Sequence, residues 1–173
     1  MADVTFNTAS GLTVARELMI AYLNTGTEAS PVWSPLGKRV EESSMEMDWE
    51  KDSIKDILGN TFTTLKKPIV TQTFDSFPLD SSEDALTYIW NRAVVDRDAQ
   101  TLANLDMMIV HQYAGTATTA VWAERYAACA IEMTSLGGEG GGNMETSIDV
   151  TYGGTRTVGT AAVSGATVTF TAA

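Results

Sequence analysis

One histidine, one cysteine and a surplus of carboxylates are the groups through which this chain could do chemistry. His111 sits in the apolar run Met107 to Tyr113, and no other Cys or His lies near it to complete a metal site or a Cys-His pair. A buried or interface histidine of structural purpose is the expectation. With a single His and a single Cys129, few nucleophile and base constellations can form. Gly137-Gly138-Glu139-Gly140-Gly141-Gly142 has the glycine density of a phosphate loop, but no Gly-Lys-Ser/Thr follows and Glu139 would oppose an anion. A flexible connection is expected there.

Acidic residues cluster from Glu41 to Asp56, where Glu41, Glu42, Glu46, Asp48, Glu50, Asp52 and Asp56 outnumber Lys51 and Lys55. They lack the Gly-centred spacing of a calcium loop. Both a solvated face and a specialised acidic surface fit this pattern. A hydrolase would need two carboxylates to converge in a cleft. No catalytic residue, cofactor or metal ligand is assigned, and the expectation is a protein that is not an enzyme. Trp33, Trp49 and Trp122 could stack on a carbohydrate, or pack in a core or interface.

The elements that position these residues are mostly strands. One segment, Ser82 to about Val95, has a helical period, with Leu86, Ile89, Trp90, Ala93 and Val94 on one face. Ser81 or Ser82 is expected to cap it, with Glu83 and Asp84 at the positive end of its dipole. From Met45 to Glu50, Met45, Met47 and Trp49 alternate with Glu46, Asp48 and Glu50, which predicts a strand with one apolar and one acidic face. Further strands are expected at Thr61 to Leu65, Ile69 to Phe74, Met107 to Tyr113, Ser147 to Tyr152, Thr155 to Val163 and Ala166 to Thr171. Val121 to Thr134 suits either a helix or a strand buried on both faces. Gly153-Gly154 reads as a hairpin turn. The arm to about Thr13, the Thr25 to Gly37 stretch with Pro31 and Pro35, and Gly137 to Gly142 read as irregular. The sum is mainly β (α+β), two packed antiparallel sheets as a sandwich or barrel, with one flanking helix.

A single domain over residues 1–173 is long enough to bury its own core. The formal charge of -11 opposes binding to the phosphate backbone of nucleic acid. One cysteine excludes an intrachain disulfide and suits a reducing cytoplasm. No signal sequence or membrane-length apolar run is visible, so no membrane binding is expected.

The run Asp56-Ile57-Leu58-Gly59-Asn60-Thr61-Phe62-Thr63-Thr64-Leu65, followed by Ile69 to Phe74 and the helix near Ser82, resembles the central region of major tail proteins from phages with long non-contractile tails. Ala123-Glu124-Arg125-Tyr126-Ala127-Ala128 leading to Glu132-Met133-Thr134-Ser135-Leu136-Gly137-Gly138 resembles that family's late strand and glycine turn. Ile148-Asp149-Val150-Thr151-Tyr152-Gly153-Gly154 resembles its closing hairpin. The match covers about Trp33 to Val163, and the order of the segments is more telling than any one of them.

The resemblance implies homo-hexameric rings stacked into a tail tube within a virion, assembled in the host cytoplasm. Its partners would be the tape measure protein, the tail terminator and tail-tip proteins, with genomic DNA passing through the lumen without specific binding. By the family's pattern, the hairpin-like stretch from about Glu50 to Phe74, an extended inter-subunit hairpin loop, and both termini as arms reach adjacent subunits or rings. Asp56, Ile57, Leu58, Asn60, Phe62 and Leu65 are then the ring-stacking loop, and Glu46, Asp48 and Glu50 the lumen-facing acids. Deleting residues 53 to 70 is expected to leave a folded subunit that cannot form tubes. The alternatives are a tube subunit of a contractile tail, tail-like bacteriocin or secretion system, and a β-sandwich carbohydrate-binding module.

Overall fold

Apolar and polar residues alternate along most of the chain, and the computed structural model turns that alternation into antiparallel pairing throughout; it describes residues 3–116 and 119–173. In chain order the elements are β1 (Met19–Asn24), β2 (Trp33–Leu36), β3 (Ser43–Asp48), β4 (Lys51–Lys55), β5 (Thr61–Leu65), β6 (Ile69–Pro78), α1 (Asp84–Trp90), α2 (Ala99–Leu102), β7 (Leu105–Thr116), β8 (Ala120–Gly137), β9 (Glu145–Tyr152), β10 (Arg156–Ser164) and β11 (Thr167–Ala172). β8 is the hinge of the design. Its N-terminal half lies in a first sheet ordered β2-β1-β7-β8-β10-β11, and its C-terminal half in a second ordered β8-β9-β6-β3. β4 and β5 form a separate hairpin.

The predicted strands all form, several longer than expected, and Val121 to Thr134 takes the extended alternative. Three further strands had no signal of their own in the sequence pattern, although β4 is the first arm of the hairpin that the resemblance implied. β2 arises inside the stretch expected to be irregular and tolerates Pro35 because it is an edge strand, where a missing N–H costs no ladder bond. β1 and β4 are short and carry no clean alternation. The N-terminal arm is not wholly irregular either: Phe6 bridges Ala114, and the Asn7 amide donates to the Tyr113 carbonyl at 2.8 Å. Residues 1 and 2 of that arm lie outside the described residues.

Gly153-Gly154 is not a hairpin turn. β9 and β10 do not pair with each other; both pair with β8, β9 along Ala130 to Gly137 and β10 along Val121 to Tyr126, in nearly continuous register. The two glycines are a kink in one long ladder, where the backbone crosses close over Ala128. Gly154 has φ +71, and a Cβ there would meet the Ala128 Cβ at 2.8 Å, so this crossing requires glycine.

The main core lies between the two sheets and is closed by α1. Leu23, Met107, Ile109 and Cys129 come from the first sheet or the shared strand, Phe74, Phe77, Ile148 and Val150 from the second, and Ala85, Leu86 and Ile89 from α1. A second cluster of Tyr22, Trp33, Met108, Val110, Val121, Ala123, Ala161 and Val168 fills the other face of the first sheet. The helix forms where its period placed it, but its ends differ from expectation. Neither Ser81 nor Ser82 caps it: Glu83 holds the N-cap position without a side-chain cap bond, and the Ser82 hydroxyl accepts from Lys38 Nζ at 2.7 Å. After Trp90 the helix widens into a π turn, Asn91–Asp96, that ends at Arg97 in the left-handed region. Among the described residues no helix is long and apolar enough to cross a membrane.

Candidate assembly surface

The β4–β5 hairpin leaves the body between Asp48 and Ile69, and every residue of both its strands is exposed. Polar contacts shape it. At the base, Lys66 Nζ reaches Glu50 at 2.8 Å and Asp52 at 3.8 Å. Midway, the hydroxyls of Ser53 and Thr63 lie 3.0 Å apart. At the tip, the Asp56 carboxylate accepts from the amides of Leu58 (2.9 Å) and Asn60 (2.8 Å) and from Asn60 Nδ2 (2.9 Å), and Gly59 supplies the positive φ of the turn. The Asn60 side-chain bond, followed by the Asn60 amide, holds the Asp56 carboxyl below its ordinary range.

Its apolar residues have no cover. Ile54 and Phe62 face each other across the hairpin, Ile57 and Leu58 at the tip are 103% and 81% exposed, and Leu65 is exposed near the base. Met47, Trp49 and Ile69 are also exposed where the hairpin meets the second sheet, Ile69 on the face of Asp48 and Met47 on the opposite one. A two-stranded hairpin alone is marginal in water, and these side chains have no cover in the single chain. All six residues assigned to the stacking loop by resemblance therefore fall on this one projection, with Asp56 and Asn60 shaping its turn.

The acidic residues divide differently from expectation. Glu46 and Asp48 share the outer face of β3, but the strand ends at Asp48, so Glu50 is not on that face. It opens the hairpin instead and is paired with Lys66. The register adds two acids that spacing could not place. Along the ladders β3-β6-β9-β8, Ser44 neighbours Thr73, Thr73 neighbours Asp149, and Asp149 neighbours Glu132; one row over, Glu46 neighbours Thr71 and Thr71 neighbours Thr151. The outer face of the second sheet thus presents Glu46, Asp48, Glu132 and Asp149 among Ser, Thr, Ala130 and the exposed Ile69 opposite Asp48, and none of these rows contains a Lys or Arg. Glu132 directly opposite Asp149 is an unfavourable like-charge pair. The opposite face of the same strands carries Met45, Gln72, Val150 and Ile131, which explains the alternation.

His111 is buried and structural, as expected. Its Nε2 lies 3.0 Å from Glu124 Oε1 and its Nδ1 2.8 Å from the Tyr113 hydroxyl, while Glu124 Oε2 accepts from Tyr126 (3.0 Å) and Arg156 (2.6 Å). Burial alone would push the Glu124 carboxyl up; the bonds from His111 and Arg156 and their charge outweigh it and leave it below its ordinary value. Both carboxylate oxygens have protein partners, and Glu124 is 4% exposed. Sequence reasoning missed Glu124 as the centre of this cluster. Its signal was a lone acid in the apolar part of β8, but apart from Tyr126 its partners come from β7 and β10.

Trp33 is buried, and Trp122 packs on the His111 ring with centroids 4.6 Å apart. Of the three tryptophans proposed as a sugar platform, Trp49 alone is exposed. Cys129 is buried, and burial raises its thiol to about 11. Among the described residues no group of three His, Cys, Asp or Glu is placed to hold a metal ion.

No protein-family model and no curated protein matches the chain. Among solved structures it is similar to the sheath/tube terminator of an extracellular contractile injection system (PVC) in the extended state, at 10% identity over 87% of this chain and 99% of that one, with a TM-score of 0.51. It is also similar to the tube-terminating cap of the anti-feeding prophage (17% identity, 96% of each chain, TM-score 0.46) and to a chain of the PVC sheath-tube complex (11%, 95% of each, 0.48). The likeness to the terminator is one of fold: two antiparallel sheets that share a long strand, with a helix against them.

Proposed function

We propose that this chain is a structural subunit of a tail-type tube, without enzymatic activity, which assembles with copies of itself into hexameric rings around a bore. The observation that carries this reading is the projecting hairpin, whose apolar side chains are exposed in the single chain. Obligate interfaces bury roughly 2,000 Å² or more, so a ring subunit must keep such surfaces for its neighbours. The acidic outer face of the second sheet gives the bore its wall. Glu46 and Asp48 line it, joined by Glu132 and Asp149, while Glu50 belongs to the hairpin base.

Such a wall repels phosphate over a Debye length of about 8 Å at physiological salt, so DNA slides without adhering. The tape measure protein, the tail terminator and tail-tip proteins are the further partners, and the particle is a virion assembled in the bacterial cytoplasm. The fold shared with a tube terminator favours a second reading, a ring that ends a tube in a contractile system. Sheath genes beside the coding sequence decide between contractile and non-contractile particles.

Negative-stain electron microscopy of the purified protein across concentration tests the proposal. Hollow tubes support a tube subunit, and isolated sixfold rings support a terminator. A persistent monomer, even beside tail-tip partners, overturns both. A tube map that places Glu46, Asp48, Glu132 and Asp149 on the outer wall rejects the lumen assignment alone.

A further inference from the structure

The hairpin and a large groove lie at opposite ends of the same pair of strands. β3 and β6 are paired from Ser43↔Phe74 to Asp48↔Ile69. The hairpin leaves at the Asp48 and Ile69 end. A groove of about 590 Å³ opens at the other end, with Met19, Leu36, Val40 and Phe74 among its apolar lining. Resting on the self-assembly reading above, we infer that the Ile57-Leu58 tip of one copy seats in this groove of a second copy, head to tail.

Charge complementarity selects that occupant. Arg16 stands at the groove, its guanidinium held by the carbonyls of Ser43 (2.9 Å) and Met19 (2.7 Å), and among the described residues no carboxylate lies within 4.0 Å of it. Glu17 lies beside it and Glu41 is also at the rim, while the groove's other charges, Lys38 and Glu83, are paired with each other at 3.2 Å. The tip offers the reciprocal pair: Asp56, whose charge meets no cation within 4.0 Å among the described residues, and Lys55 next to it. Asp56 faces Arg16, and Lys55 faces the rim carboxylates. The apolar floor takes the two aliphatic side chains that water now surrounds.

A contact between two different patches is heterologous, so it propagates instead of closing on a dimer. It also limits the geometry. The chain from Ser43 to Leu58, fully extended at about 3.3 Å per residue, spans about 50 Å, which caps the axial spacing between stacked copies.

The test is a double variant, Val40→Cys with Leu58→Cys, oxidised with oxidised glutathione at concentrations where the parent protein forms rings or tubes. The native Cys129 is buried and does not compete. A ladder of disulfide-linked multimers on a non-reducing gel, with monomer alone from each single variant, is the expected result. Leu58→Cys dimers on their own would mean that tips meet tips, and overturn the inference. Particles without a ladder, or a tube repeat longer than about 50 Å, overturn it while leaving self-assembly intact. If the parent forms no particle at all, the self-assembly reading falls and this inference falls with it.

Discussion

Glu124 shows how a single charge is kept inside the first sheet. A carboxylate removed from water is tolerated because His111, Tyr126 and Arg156 occupy both of its oxygens. Its folded-state value lies below its unfolded one, so its contribution to stability is present above about pH 4.5 and is lost as pH falls through the depressed folded value. The unfolding midpoint should fall in acid. Replacing Glu124→Gln keeps the shape but removes the charge that Arg156 and His111 address, and should cost about 2 kcal/mol near neutral pH. Denaturant titrations at several pH values check this: the variant should be less stable at pH 7 and lose less on acidification. An equal acid slope in both proteins would show that other carboxylates set it.

At the scale of elements, β8 decides the architecture. One strand long enough to serve two sheets needs a partner that changes sheet with it, and β9 and β10 are that partner, kinked at Gly153-Gly154. Any side chain at Gly154 meets Ala128 and also forces an L residue into the left-handed region. Gly154→Ala should destabilise by more than about 2 kcal/mol. Gly165→Ala in the turn between β10 and β11 provides the control, since φ is also positive there but the space is open and both flanking strands contribute to a core cluster, and should cost only about 1 kcal/mol. Chemical unfolding of the two variants compares them directly. Equal costs would mean that backbone conformation, and not the crossing over Ala128, dominates.

Considered whole, the molecule divides into a body that is complete and a projection that is not. No residue of β4 or β5 belongs to either core cluster, so the hairpin can be removed without touching the core. The deletion of residues 53 to 70 anticipated from the sequence is too long, because Ile69 and Val70 begin β6 and Val70 is buried. Replacing residues 51–66 by two glycines is the cleaner variant. Its circular dichroism and unfolding midpoint should match the parent, and it should form no tubes by electron microscopy. Tubes of normal length from this variant would remove the hairpin from assembly.

The sequence alone determined what depends on neighbours along the chain. Period placed the helix and most strands, the alternation around Met45 placed Glu46 and Asp48 on one face, and composition set the sign of the surface. The exposed hairpin could be anticipated only through family resemblance, since Thr61 to Leu65 is otherwise an ordinary β pattern. The tertiary structure decided everything set by pairing between distant segments. It brought Glu132 and Asp149 onto the face that carries Glu46, turned Gly153-Gly154 from a turn into a kink, and surrounded Glu124 with donors from β7, β8 and β10. The physical reason is that side-chain direction in a strand repeats every two residues and is legible locally. Register is fixed instead by which buried faces fit together, and a one-residue slip would exchange them all.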